Sequence, residues 1–213
     1  MLVATLALIP VLLLAPSDRA TELNQQAKAA LEAGQAADAV LYLESACNIE
    51  PDDDVLRKNL GYAVVTVSDT RELATDRGGD FLVGSIEGAG HRVAHRALCR
   101  DEPAQIQGAV RAAIAAEGVD LVLTTGGTGL TARDVTPESV AELCDREIPG
   151  FGELFRQLSY AEVGAATILS RALGCIVDKT VVLVLPGSPK ALALAMDAIV
   201  LKEAGHMVSQ VQR

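Results

Sequence analysis

From residue 62 onward, short apolar runs alternate along the chain with segments whose apolar residues recur at helical spacing. The apolar runs predict strands at residues 62–67, 91–98, 121–124, 175–177 and 180–185. Helices are predicted at residues 80–88, 102–117 and 136–144, after Gly150, and from 186-PGSPK-190 onward. Such alternation is typical of a mostly parallel sheet with helices on both faces. We therefore expect residues 59–213 to form an α/β fold, a three-layer α/β/α sandwich.

The first 20 residues form an apolar segment of a different kind. Its apolar run is shorter than the roughly 20 residues of a comfortable membrane span, and Pro10 interrupts it. As a secretory signal it lacks a basic start and a clean small-x-small cleavage site. A membrane is therefore an unlikely partner, and N-terminal membrane association stays an alternative.

Residues 21–58 carry small or apolar residues at the offsets of one tetratricopeptide repeat, a pair of antiparallel helices. These positions are Ala27, Gly34, Ala39, Leu43 and Ala46. We expect a short helical hairpin that precedes the α/β domain. A single repeat cannot bury its own apolar face, so it would dock on the main domain, pair with another chain or be loosely folded. A partner-binding arm and an extension without a chemical role are both compatible with the pattern.

Charge and cysteine content narrow the range of partners. The formal net charge of −10 argues against nucleic acid as a partner, although a local basic pocket could hold a small anion. The four cysteines, Cys47, Cys99, Cys144 and Cys175, are far apart and form no Cys-x-x-Cys pair. This spacing favours reduced thiols over a disulfide framework or a zinc site. We expect no disulfide.

Four predicted loops follow the carboxyl ends of strands, where ligands bind in sheets of this class. They are 68-SDTR-71, 99-CRDE-102, 125-TGGTG-129 and 186-PGSPK-190. Glycines have no Cβ and permit positive φ angles, so consecutive N–H groups of 125-TGGTG-129 could converge on an anion. The loop is neither a Walker A loop nor a dinucleotide fingerprint. Taken alone, its glycines are better explained by a tight turn.

Two aspartates accompany this glycine loop. Asp134 follows it closely, and Asp101 follows the neighbouring strand, so the fold would place both carboxylates at one rim. Mg²⁺ is typically bound by one or two carboxylates, with waters and substrate phosphates completing its shell. The pair therefore indicates magnesium-assisted phosphoryl or nucleotidyl transfer. For a lone loop aspartate, a helix cap or an Asx-turn is the commoner role.

Six segments carry a resemblance to a known family. They are 66-TVSDTR-71, 76-DRGG-79, 125-TGGTGLTARDVTPE-138, 150-GFGELFRQLS-159, 170-SR-171 and 186-PGSPKA-191. Together they resemble the MoaB/MogA family of molybdenum cofactor biosynthesis proteins, which is related to the G domain of gephyrin. The resemblance implies a domain that binds molybdopterin and transfers AMP from Mg-ATP to its terminal phosphate, releasing pyrophosphate. It also implies a homotrimer or a dimer of trimers.

The same resemblance implies where the protein acts. Molybdopterin and ATP are cytosolic, so we expect a cytoplasmic protein. Its product would pass to a molybdate-inserting protein.

Matched positions receive roles from the resemblance, residue by residue. Asp101 and Asp134 match two acidic catalytic positions and would bind Mg²⁺. The other matched positions would bind molybdopterin or, for the last three, ATP: Ser68, Asp69, Gly126, Gly127, Thr128, Gly129, Ser170, Arg171, Gly187, Ser188 and Lys190.

Two departures from the family pattern keep alternatives open. The segment around Asp101 reads CRDEP, where many active relatives have a proline immediately before the aspartate. The segments FRQLSYAEVG and PGSPKA lie nearer the MoaB branch, which includes members that lack adenylyl transfer. A noncatalytic molybdopterin carrier is therefore one alternative, and a helical-repeat scaffold that uses the α/β domain for oligomerisation is another. The choice between a molybdenum and a tungsten pathway also stays open.

Overall fold

A computed structural model describes residues 59–212 together with Gln25, Gln26, Lys28, Ala29 and Ala33 of the preceding segment. Apart from those five residues, of which the first four are helical, the predicted apolar segment and tetratricopeptide-like hairpin lie outside the described residues. Within the described part of the chain, no helix has both the length and the hydropathy that crossing a membrane requires.

The described domain alternates strands and helices, as the apolar pattern predicts. In chain order they are β1 (Gly61–Val67), α1 (Arg77–Gly88), β2 (Arg92–Cys99), α2 (Pro103–Ala115), β3 (Leu121–Thr125), α3 (Thr136–Ala141), β4 (Arg146–Glu147), α4 (Pro149–Val163), β5 (Leu173–Val177), β6 (Thr180–Leu185), α5 (Pro189–Ala195) and α6 (Leu201–Gln212). Short 3-10 turns lie at Leu73–Thr75 and Gly164–Leu169, and a π-helical turn at Met196–Val200 joins α5 to α6.

The six strands form one sheet in the order β2-β1-β3-β6-β5-β4. Strands β2, β1, β3 and β6 are parallel, whereas β5 runs antiparallel to both of its neighbours. The predicted two-residue connection between β5 and β6 is confirmed, with Asp178 at φ 47° and Lys179 at φ 64°. Two consecutive positive φ angles are the geometry that lets two residues join antiparallel strands.

Both faces of the sheet are covered, which confirms the predicted three layers. Alternate strand residues point to opposite faces. On one face Val64, Leu123 and Leu183 pack with residues of α1, α4, α5 and α6. On the other, Val65 and Val122 pack with residues of α2 and α3. All of β1, β3 and β6 is buried, as expected for parallel strands between two helical layers.

Helix α1 begins at Arg77, earlier than the predicted residue 80, because Asp76 caps it. The fully buried Asp76 carboxylate accepts hydrogen bonds from the Gly79 N–H at 2.9 Å and the Thr66 hydroxyl at 2.7 Å. Arg96 donates to it at 3.2 Å. Burial by itself raises the pKa of Asp76, and these hydrogen bonds outweigh it, so that pKa lies below its ordinary value. The cap thereby ties α1 to β1 and β2.

The expectation of no disulfide is wrong. Cys144 and Cys175 form a disulfide across 31 residues of sequence, whereas Cys99 is free. Helix α3 ends at Ala141, and the Asp145 N–H then donates to the Ile176 carbonyl at 2.9 Å. This bond brings the chain alongside β5, where the short strand β4 pairs with it. The contact depends on topology, so the spacing of the cysteines could not reveal it.

We predict that reduction of the Cys144–Cys175 disulfide lowers the thermal stability of the domain. A cross-link over a loop of this length typically stabilises a fold by about 2–4 kcal/mol, because it restricts the unfolded chain. Thermal unfolding with and without a phosphine reductant measures the effect. The Cys144→Ala/Cys175→Ala double variant should unfold at the temperature of the reduced protein and ignore the reductant. An equal melting temperature in both conditions would contradict a disulfide in the purified protein.

Candidate functional site

Four parallel strands end side by side and bring the four predicted loops together. In the register of the sheet, Val67 pairs with Cys99, Thr66 with Thr125, and Thr125 with Leu185. The loops after β1, β2, β3 and β6 therefore start from one edge, as the sequence predicts. The Gly126 N–H donates to the Leu185 carbonyl at 3.4 Å. A Cβ on Gly187 would stand 3.4 Å from the Gly126 Cα, so the loops after β3 and β6 pass close together.

The glycine loop has the backbone geometry that its composition suggests. Gly126 has φ 99° and Gly127 has φ 61°, a region that L side chains rarely adopt. A Cβ on Gly127 would collide with the Asp101 carboxylate and the Thr136 hydroxyl. Among the described residues, the N–H groups of Gly127, Thr128 and Gly129 donate no hydrogen bond. The loop thus presents unused donors beside a carboxylate and a hydroxyl.

Asp101 is a buried carboxylate beside the glycine loop, with 7% of its surface exposed. Its Oδ1 accepts the Val135 N–H at 3.1 Å, and its own N–H donates to Asp69 Oδ1 at 3.2 Å. Burial is the main cause that raises the pKa of Asp101, and the charges of Asp134 and Asp69 add to the rise. Within the described chain Asp101 Oδ2 accepts no hydrogen bond, so it is free to meet a ligand.

Asp69 and Arg133 form a two-bond ion pair across the first and third loops. Arg133 Nε donates to Asp69 Oδ2 at 2.6 Å, and Arg133 Nη2 donates to Asp69 Oδ1 at 2.9 Å. A further hydrogen bond joins Arg133 Nη2 to Glu102 Oε1 at 3.4 Å. The hydrogen bonds from Arg133 are the main cause that lowers the pKa of Asp69 to about 2.

Asp134 has a local structural bond as well as a place in the cluster. Its Oδ2 accepts the Thr131 N–H at 3.2 Å and the Thr131 hydroxyl at 2.5 Å. This is the turn-stabilising role that is common for a lone loop aspartate. The carboxylate also lies beside the Cα of Gly129, and its charge contributes to the raised pKa of Asp101. Asp134 Oδ1 accepts no hydrogen bond within the described part of the chain.

The predicted pair Ser170 and Arg171 divides into two roles. Arg171 donates to the Thr128 carbonyl at 3.2 Å and to the Asp134 carbonyl at 2.7 Å, and it pairs with Glu138. Arg171 therefore holds the backbone of the glycine loop and of the segment that follows it. The hydroxyl of Ser170 is buried without a partner among the described residues and lies in the wall of the cavity described next.

A cavity of about 530 Å³ opens next to the glycine loop. Its polar lining contains five of the predicted residues, namely Thr128, Gly129, Ser170, Ser188 and Lys190. Its apolar wall comes from α4, the following 3-10 turn and α5, and includes Phe155, Val163, Leu169 and Leu194. A mostly apolar cleft with a few convergent polar groups is typical of small-molecule sites.

Ser68, Asp69, Asp101 and Asp134 lie outside the lining of this cavity, whereas Ser188 also has a local structural role. Ser68 Oγ accepts the N–H groups of Thr70 at 3.3 Å and Arg71 at 3.2 Å, so it shapes the first loop. Ser188 caps α5 through a 3.3 Å bond from the Ala191 N–H. Asp69 and Asp101 are not part of the cavity lining and form a separate acidic cluster with Asp134 across the glycine loop.

Sequence reasoning missed two residues that the fold brings into the cluster. Thr136 was expected only as the first residue of a helix, yet its buried hydroxyl faces Gly127 and has no partner among the described residues. Arg133 is part of a quoted segment but received no role. The adjacency of Arg133 to Asp134 was the available signal, and the partner of Arg133 lies 64 residues away.

The side chains of the site do not form a complete set of ligands for a hard cation such as Mg²⁺. In residues 59–212 and the few described before them, no three His, Cys, Asp or Glu side chains converge as a metal cage. Magnesium commonly takes only one or two carboxylates and completes its shell with waters and phosphate oxygens. Asp101 and Asp134 each have one carboxylate oxygen without a hydrogen bond among the described residues and would be the two carboxylates available to such an ion.

Comparisons with known proteins give matches of one kind. Residues 63–206 match the family model described as "Probable molybdopterin binding domain". Molybdenum cofactor biosynthesis protein B of Bacillus cereus is 46% identical over 157 residues, which cover 73% of this chain and 93% of that protein. A crystal structure of a molybdenum cofactor biosynthesis protein B shares 46% identity with a TM-score of 0.71, covering 73% of this chain and 98% of that one. The crystal structure of the tungsten cofactor synthesizing protein MoaB from Pyrococcus furiosus shares 34% identity with a TM-score of 0.66. The match covers 73% of this chain and 99% of that one.

We predict that Gly127→Ala damages the site. The new Cβ would meet Asp101 and Thr136, and a non-glycine residue at φ 61° costs about 1–2 kcal/mol. We expect a lower melting temperature and loss of molybdopterin binding, measured by thermal unfolding and calorimetry. Gly84→Ala is the matched control, because a Cβ on Gly84 in α1 has nothing within 4 Å. Wild-type molybdopterin affinity in Gly127→Ala would place the bound phosphate elsewhere.

Proposed function

Because the chain belongs to the family of molybdopterin-binding domains that includes the MoaB and MogA proteins, we propose that it acts in molybdenum cofactor biosynthesis. The proposed reaction transfers AMP from ATP to the terminal phosphate of molybdopterin and releases pyrophosphate. One observation carries the proposal. The buried Asp101 carboxylate and Thr136 hydroxyl face the Cβ-free Gly127, beside unused backbone donors and at the end of a ligand-sized cleft.

The two ends of molybdopterin match different parts of the site. Its pterin is flat and largely apolar on its faces, which suits the wall that includes Phe155 and Leu169. Its phosphate would accept hydrogen bonds from the N–H groups of Gly127, Thr128 and Gly129. The Thr136 hydroxyl, otherwise unpaired among the described residues, would add one more donor. Thr128 and Thr136 are buried, and a buried donor without a partner is costly, so a phosphate here would stabilise the loop.

The nucleotide would approach from the loop after β6. Lys190 is exposed at the cavity mouth and forms no ion pair within the described chain. Its ammonium group would pair with the phosphates of ATP and with the departing pyrophosphate. In the reaction, a terminal phosphate oxygen of molybdopterin forms a bond to the α-phosphorus of ATP, and the bond from that phosphorus to the β-phosphate oxygen breaks.

The carboxylates would act on charge and geometry. Mg²⁺, when bound by Asp101 and Asp134, would offset the negative charge of the phosphates and of the leaving pyrophosphate. Asp69 would hold the Asp101 loop through the 3.2 Å bond from the Asp101 N–H. Arg171 would hold the glycine loop through the Thr128 and Asp134 carbonyls. Two substrates bound side by side in fixed orientation are the main source of rate in such a transfer.

We predict that the purified protein releases pyrophosphate from Mg-ATP only when molybdopterin is present. Asp101→Asn and Asp134→Asn should each abolish this release, because an amide is a poor substitute for a hard anionic ligand. Pyrophosphate is measured by a coupled assay, and AMP transfer by mass spectrometry of the pterin product. Asp178→Asn, an exposed change in the turn before β6 and so at the opposite end of that strand from the site, is the matched control and should retain full activity.

Each alternative gives a different result in the same preparation. Tight molybdopterin binding without pyrophosphate release would identify a noncatalytic carrier, an outcome relevant here because the relatives described above are named protein B or MoaB. Activity that survives in both aspartate variants would remove the pair from the mechanism. In a helical-repeat scaffold, deletion of residues 1–53 would abolish partner binding and leave ligand binding unchanged. Product handover to a molybdate-inserting protein is the further step that the proposed reaction implies.

We also propose assembly as a homotrimer or a dimer of trimers. Large apolar side chains on α4 and the following turn are exposed in the single chain, among them Tyr160 at 60% and Ile168 at 78%. Clustered exposed apolar residues commonly mark protein interfaces. Light scattering of the purified protein should give the mass of three or six chains. A monomeric mass would contradict this assembly.

A further inference from the structure

Arg133 connects three of the four loops of the site. Its guanidinium binds both oxygens of Asp69 in the first loop, at 2.6 and 2.9 Å. It also reaches Glu102 after the second strand, at 3.4 Å. Arg133 itself belongs to the segment that follows the glycine loop. No role in the proposed reaction has so far been given to it.

The contacts of Arg133 form a closed ring around Asp101. Asp69 Oδ1 accepts both from Arg133 and from the Asp101 backbone N–H. Asp101 Oδ1 in turn accepts the N–H of Val135, at 3.1 Å. Val135 lies two residues after Arg133. A single segment therefore binds Asp69 through the Arg133 side chain and Asp101 through the Val135 N–H. Within this ring the Asp101 side chain has one oxygen used and one oxygen free.

Fold stability does not explain this arrangement well. The side chains of Arg133 and Asp69 are 55% and 33% exposed, and exposed ion pairs contribute little to stability. The pair is nevertheless bidentate, the geometry that fixes orientation most strictly. The Arg133–Asp69 pair is exposed, has strict geometry and lies next to the buried Asp101 carboxylate. This combination indicates that the pair orients Asp101.

We propose that Arg133 is a positioning residue for the reaction. It holds Asp69 so that the Asp101 loop is fixed and the free Oδ2 of Asp101 faces the phosphates. This inference rests on the proposed function for the meaning of Asp101, but its structural part can be tested without substrate. Lysine at position 133 would keep the charge and lose the planar two-bond fork, so it would restore the function only in part.

The first experiment measures the order of the loop. Hydrogen–deuterium exchange is followed for the backbone amide of Asp101 in the wild type, Arg133→Ala, Arg133→Lys, Asp69→Asn and the control Arg111→Ala. Arg111 is an exposed arginine of α2 outside the ring. We expect faster exchange in Arg133→Ala and Asp69→Asn, an intermediate rate in Arg133→Lys and the wild-type rate in Arg111→Ala, with similar melting temperatures throughout.

The second experiment measures the consequence at the site, with Mn²⁺ as a spectroscopic substitute for Mg²⁺. Loss of a residue that orients a metal ligand typically weakens metal binding by about 10–100-fold. We expect such a loss in Arg133→Ala and in Asp69→Asn, and no further loss in the double variant, because both act through one path. In the pyrophosphate assay kcat should fall while KM for molybdopterin stays near the wild-type value.

Failure of this inference and failure of the proposed function give different results. Wild-type exchange at Asp101 in Arg133→Ala, or additive losses in the Arg133/Asp69 double variant, would overturn the role of Arg133 even in an active adenylyltransferase. A wild type without AMP transfer or Mn²⁺ binding would overturn the proposed chemistry. In that case the exchange rates alone would decide whether Arg133 orders the Asp101 loop.

Discussion

The register of the parallel strands is the constraint on which the rest of the site depends. Strands β1, β2, β3 and β6 end within hydrogen-bonding register of one another. The buried side chains of β1, β3 and β6 oppose slip, because a shift of one residue would exchange the side chains packed on the two faces of the sheet. Loops that are far apart in sequence therefore start from fixed neighbouring points. Packing of the strands in the core therefore sets the distances among Asp69, Asp101 and Gly127.

The site combines several groups that each cost free energy in the folded chain. The buried Asp101 carboxylate costs free energy, and so do the Thr136 and Ser170 hydroxyls, which have no partner among residues that the structure describes. Gly126 and Gly127 adopt positive φ angles that L side chains rarely adopt. The core of Val and Leu on both faces of the sheet offsets these costs. Such a concentration of unsatisfied groups at one strand edge is what a binding site requires before its ligand arrives.

The sequence predicted the fold well wherever one local rule applied. Buried strands such as Gly61–Val67 carry their own pattern, and the positions of their ends follow from it. Strand β4 was missed because Arg146 and Glu147 are exposed and too few to show a period. The end of α3 at Ala141, before the predicted residue 144, and the Cys144–Cys175 disulfide were not predicted for a related reason. Both depend on pairing with β5. At the site, residue types predicted the acidic cluster, whereas the partners of Arg133 and Arg171 depend on contacts across the fold.

The disulfide makes residues 144–175 a covalent ring. This ring contains β4, α4 and the 3-10 turn, and so half of the apolar residues in the cavity wall. The exposed Ile168 and Leu169 are accessible points within it. A protease that cuts the backbone there would leave the two pieces of the chain joined through sulfur. The nicked protein would therefore keep its full mass, and its wall would stay attached at both ends until the cysteines were reduced.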